Sequence, residues 1–134
     1  MSHQLSKQLD LVAFTGSTGA TSLTVEVDMA NGAEGCMFNV VTLTTGTAAT
    51  LTLSTAASTT ASFVALSGMT AASTGGASTI VLDEHKPKKR WLKATATSTA
   101  AQPMFLQAFK YGVRVCPVTW SSTGILVAGV SSST

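Results

Sequence analysis

Residues 21–29 read TSLTVEVDM. Leu23, Val25, Val27 and Met29 fall on one side of an extended chain, and Thr24, Glu26 and Asp28 fall on the other. A period of two marks a half-buried strand, because successive side chains of a pleated chain point to opposite faces. The same grammar continues outward. ANGAEG is a turn. CMFNVVTLT (36–44) is apolar on both faces, as expected inside a sandwich, and TLTLS (50–54) alternates again through Leu51 and Leu53. TASFVAL (60–66) is a further apolar run, GMTAASTGGAS (68–78) a long loop of small residues, and STIVLD (78–83) a short strand. KRWLKATAT (89–97), QPMFLQAFKYGVRV (102–115) and TGILVAGV (123–130) complete the series, while Leu9, Leu11 and Ala13 alternate near the start.

Helical periodicity with caps is missing, and Ser, Thr and Val outnumber Glu, Lys and Arg, which favours strands. Eight or nine short strands, spaced about ten residues apart, predict an all-β, antiparallel, jelly-roll-like β-sandwich. The expected layout is an N-terminal arm or first edge strand over 1–14, the sandwich over 15–120, and a C-terminal strand with a polar tail over 121–134.

The chain has 134 residues, the size of one domain. Charged residues make up only 10%, far below the usual quarter, and hydroxyl and small side chains take their place. Such a surface suits a chain that lives in an assembly, since free domains rely on charge to stay dispersed. No apolar run reaches membrane-spanning length, so no membrane partner is expected. MSHQLSKQLD has no apolar core of a secretion signal, and Cys36 and Cys116 are therefore expected as free, buried thiols.

Reactive groups are sparse. His3 and His85 have no second His or Cys at ligand spacing, which argues against a metal site. Cys36 and Cys116 lack a neighbouring base. Glu26 and Asp28 share a strand face about 7 Å apart, but a solvated face or a partner contact explains them better than glycoside chemistry. GSTG (16–19) and TGGAS (74–78) lack the lysine and helix of a phosphate loop. Neither catalytic residues, a metal nor a cofactor is expected, and the chain does not read as an enzyme.

Charge is concentrated in VLDEHKPKKRWLKATAT (81–97), which holds five of the eight Lys and Arg residues. Strand alternation ends near Glu84, Pro87 breaks the ladder, and alternation resumes with Arg90, Leu92, Ala94 and Ala96 on one face. Trp91, Lys93, Thr95 and Thr97 share the other. A tryptophan on a polar face is either covered by another part of the fold or anchors an interface, where Trp and Arg are favoured. One short basic turn offers too few phosphate contacts for duplex binding, and a net charge of +2 is too small for a nucleic-acid face.

The order of these elements resembles a family. Pro87 to Trp91, the Tyr111–Gly112 strand exit, the Pro117–Val118 pair and the upstream VDMANGAEGCMFNV are similar to small β-sandwich proteins of tailed bacteriophages, the capsid decoration or cement proteins. The resemblance spans roughly residues 20 to 120. It implies a non-enzymatic, multi-copy virion protein, made in the host cytoplasm, that sits on the outer capsid surface and bridges major capsid protein subunits. The interface residues expected are Lys86, Lys88, Lys89, Arg90, Trp91, Lys93 and Trp120. A homodimer is expected in preference to a trimer, because dimers lead among symmetric assemblies. The alternatives are a carbohydrate-binding or adhesin-like sandwich and a phage tail or fibre component.

Overall fold

A computed structural model describes residues 9–30, 33–43, 47–73 and 77–112. Six strands form within them: β1 (Asp10–Asp28), β2 (Gly35–Thr42), β3 (Ala49–Ala56), β4 (Val64–Ala72), β5 (Ser78–His85) and β6 (Trp91–Tyr111). The chain is all-β, and every strand pairing is antiparallel. Among the described residues no helix is long and apolar enough to cross a membrane.

Two strands are unusually long. β1 has 19 residues and β6 has 21, against a typical length of about five or six. Each joins two stretches that read separately in the sequence. The polar segments GSTGAT (16–21) and STAAQP (98–103) look like chain breaks, yet both lie inside the β1/β6 ribbon. Gly16 faces Phe105, Ser17 faces Met104 and Ala20 faces Gln102, and register shifts on either side of Ala20 absorb the misfit. The described residues therefore hold six strands where eight or nine were expected, and the expected strand at 123–130 lies outside them.

This β1/β6 ribbon is the spine of the molecule. On its second side β6 pairs with β3 through Trp91–Ser98 and with β2 through Met104–Tyr111. Pro103, which has no N–H to give, sits in the gap between these two pairings. β4 completes one flank beside β3, and β5 completes the other beside β2. The path β4-β3-β6-β2-β5 ends in two strands that approach within 8 Å between Cα atoms, so the sheet nearly closes on itself.

Both flanks feed one core. Val25, Val27, Phe38, Val40, Leu51, Leu53, Leu92 and Leu106 belong to a single cluster and are almost fully buried. Each large apolar side chain removed from water in this way stabilises the fold by roughly 1.5–3 kcal/mol. Leu23, Val25, Val27 and Met29 face inward and Thr24 and Glu26 outward, as the alternation predicts. Neutral polar side chains fill much of the outer surface. On one flank Thr24, Thr95, Thr52 and Thr70 align across four strands. On the other, Gln107 donates to Asn39 at 2.9 Å.

The long loop expected over 68–78 is corrected in part, because Gly68–Ala72 belong to β4. Thr52 pairs with Thr70 and Ser54 with Ala65, so Leu66 to Met69 all stand opposite Leu53 alone. Gly68 absorbs this bulge with φ of 77°, a conformation that a side chain disfavours.

Candidate functional site

The basic turn is held at both of its ends. β5 stops at His85, and Lys86 takes a left-handed conformation (φ 52°) while its N–H donates to the Glu34 carbonyl at 2.7 Å. At the far end the Met29 N–H donates to the Arg90 carbonyl at 2.8 Å. Between these anchors Lys86, Lys88 and Lys89 are exposed.

The remaining cations of the segment are engaged within the molecule. Arg90 forms a two-pronged ion pair with Asp28, through Nε to Oδ1 and Nη2 to Oδ2, both at 2.8 Å. Its guanidinium carbon also lies 5.7 Å from the centre of the Trp91 ring. Lys93 places Nζ 4.5 Å from the centre of the Phe63 ring, within cation–π range. In register it sits between Glu26 and Ser54. Trp91 lies half-buried on the face of Lys93 and Thr95, opposite the buried row Leu92, Ala94 and Ala96. Trp120 lies outside the described residues, as do Cys116, Pro117 and Val118.

The lysines border a cleft of about 480 Å³. It is lined by Thr55 and Leu92, by Leu66 and Ser67 of the β4 bulge, and by Glu84, His85 and Pro87. The volume is within the usual range of binding pockets, about 300–1,000 Å³. The cleft therefore brings the apolar Leu66 and Pro87 together with three lysines, between β4 and the end of β5.

A polar chain braces the β5 side. The Tyr111 hydroxyl donates to Asp83 at 2.6 Å and contacts His85 Nδ1 at 3.3 Å, and the two rings lie parallel with centres 6.1 Å apart. Burial, followed by the bond to Asp83, pushes the Tyr111 phenol well above its ordinary value. Gly35 makes room for this ring. A Cβ there would collide with the Tyr111 hydroxyl and stand 2.7 Å from the Glu84 carbonyl.

The other groups weighed for chemistry fall into place around this corner. Asp28 is committed to Arg90, whose hydrogen bonds hold its carboxyl down at about 2. Cys36 is a free, buried thiol, and burial pushes it up to about 12, which keeps it protonated at neutral pH. GSTG lies inside β1 rather than in a loop.

Sequence reasoning found the turn and the side of the strand on which Trp91 lies. It missed Phe63, Leu66, Asp83 and the seat that Gly35 makes for Tyr111. A glycine opening a strand is a sign of close approach by another group and was the one local clue to that seat. No protein-family model matches the chain, and no curated protein matches it.

Proposed function

We propose that this chain is a structural virion protein that docks on the outer surface of a tailed-phage capsid and stabilises contacts between major capsid protein subunits. The observation that carries the proposal is the basic corner, where Lys86, Lys88 and Lys89 stand exposed beside a cleft. A turn anchored at both ends loses little freedom on meeting an acidic surface, and that preorganisation favours docking. Half-buried Trp91 adjoins the turn and is the kind of side chain that anchors protein interfaces. The similarity of Pro87 to Trp91 and of Tyr111–Gly112 to cement proteins supports the same function.

In this proposal the β3–β4 and β2–β5 flanks are the two leaves of a jelly-roll-like sandwich, bound together by the bent β1/β6 ribbon. The protein acts as a homodimer in many copies. Each copy contributes modestly, and attachment at more than one point multiplies the effect. Co-sedimentation with purified shells, followed by heat challenge, tests the function. Bound protein and raised shell survival are expected. Absence from the shell pellet, or equal survival of decorated and bare shells, refutes it.

A further inference from the structure

β4 and β5 stand at the two ends of the strand path. Among the described residues β4 hydrogen-bonds to β3, β5 hydrogen-bonds to β2, and the two do not pair with each other. An unpaired strand edge presents a row of N–H and C=O groups ready to bind another extended chain. A strand inserted between two others needs them ~9.6 Å apart, twice the normal spacing. Where β4 and β5 come within 8 Å there is no such room. Beside the bulge the chain leaves a cleft of about 480 Å³, lined by Leu66 and Ser67 of β4 and by Glu84 and His85 of β5.

The chemistry of the cleft narrows what enters it. Leu66 and Pro87 offer apolar contact, and Lys86, Lys88 and Lys89 offer positive charge. Glu84 faces the same space and would repel a uniformly anionic polymer. A chain with carboxylates at some positions and apolar side chains at others satisfies all of these groups, since alternate residues of a strand face opposite ways.

We propose that the cleft between β4 and β5 takes a short, extended, acidic segment of a partner protein, with its backbone pairing along the two strand edges and its carboxylates against Lys86, Lys88 and Lys89. This deepens the docking proposal and rests on it, because it names the part of the partner that the basic corner receives.

The test uses the full chain and a probe peptide of nine alternating Glu and Val residues, blocked at both ends. A counterpart methylated on its backbone nitrogens keeps the side chains but cannot donate along a strand. The unmethylated probe should slow amide exchange at 64–68 and 84–89, and Lys88→Glu with Lys89→Glu should weaken its binding by roughly tenfold or more. Ser67→Trp, an exposed position that would fill the cleft without touching its charge, should exclude the probe. Equal binding of the methylated peptide, equal protection by inorganic tripolyphosphate, or undiminished binding to Ser67→Trp overturns the insertion. Shell binding separates the two proposals. If Ser67→Trp still decorates shells while the double charge reversal does not, docking stands and insertion falls. If the unaltered chain ignores shells yet the probe slows exchange at both edges, the capsid proposal falls and the cleft remains a strand-binding site.

Discussion

The guanidinium of Arg90 grips the carboxylate of Asp28 with two parallel hydrogen bonds, and these residues lie 62 positions apart in the chain. The pair ties the end of β1 to the start of β6 where the basic turn ends. The Ala30 N–H also donates to Asp28, at 3.0 Å. Arg90 is exposed, but Asp28 matches its charge, whereas Lys86, Lys88 and Lys89 of the turn stand exposed beside it.

The pair gives a pH signature. Asp28 titrates near 3.8 when unfolded and at about 2 when folded, chiefly because Arg90 hydrogen-bonds its ionised form. A depressed folded value stabilises the protein above the unfolded value, and that contribution is lost as pH falls through the folded one. The urea midpoint of the native chain should therefore drop between pH 3.8 and about 2 more steeply than that of Asp28→Asn. Parallel curves through this window would show that the pair adds nothing, as many exposed ion pairs do.

Charge reversal should distinguish structural from docking cations. Arg90→Glu sets two carboxylates against each other at the β1/β6 junction and should lower the melting temperature. Lys88→Glu alters an exposed side chain and should leave melting nearly unchanged while weakening shell binding. Equal melting temperatures for the two variants would refute this division of roles.

Cys36 should resist alkylation until the chain unfolds, because the reactive thiolate is disfavoured by burial and its pKa sits at about 12. The raised folded value also means that stability falls as pH climbs above the ordinary thiol value of 9.0. Mass mapping of the Cys36 peptide after iodoacetamide treatment, with and without urea, reads this directly. Rapid labelling under native conditions would contradict the burial.

Gly35→Ala should destabilise the fold by about 1–3 kcal/mol, the usual cost of forcing atoms into a filled site. The added methyl meets the Tyr111 hydroxyl and the Glu84 carbonyl, so the bond from Tyr111 to Asp83 must shift as well. Urea denaturation gives the energy, and the tyrosine absorbance spectrum reports the ring. An unchanged midpoint would show that Tyr111 moves aside freely.

Much of the fold was legible. The period of two sorted Val25, Val27, Leu51, Leu53, Leu92 and Ala94 inward, and each is buried. It also put Trp91 and Lys93 on the outward side, where they lie. Strand length was not legible, because Ser, Thr, Gly and Ala in 16–21 and 98–103 carry turn composition. Their place within the β1/β6 ribbon overrides that local preference, as context commonly does for β structure. Nor did Gly68 reveal that it continues a strand, since a glycine in a run of small residues reads equally as loop or bulge.

What the sequence determined by itself was parity: which side chains share a face, that the chain builds strands, and that a basic turn with a proline joins two of them. Those properties follow from the two-residue pleat, which acts between near neighbours. What only the tertiary structure decided was partnership. It joined Arg90 to Asp28, laid Lys93 over Phe63, seated Tyr111 against Gly35, and left a cleft between β4 and β5 with the lysines at its rim. These contacts depend on register between strands far apart in the chain. Local periodicity is blind to that register, because a run of alternating Thr, Ala and Leu pairs plausibly with several others until all the strands close around one core.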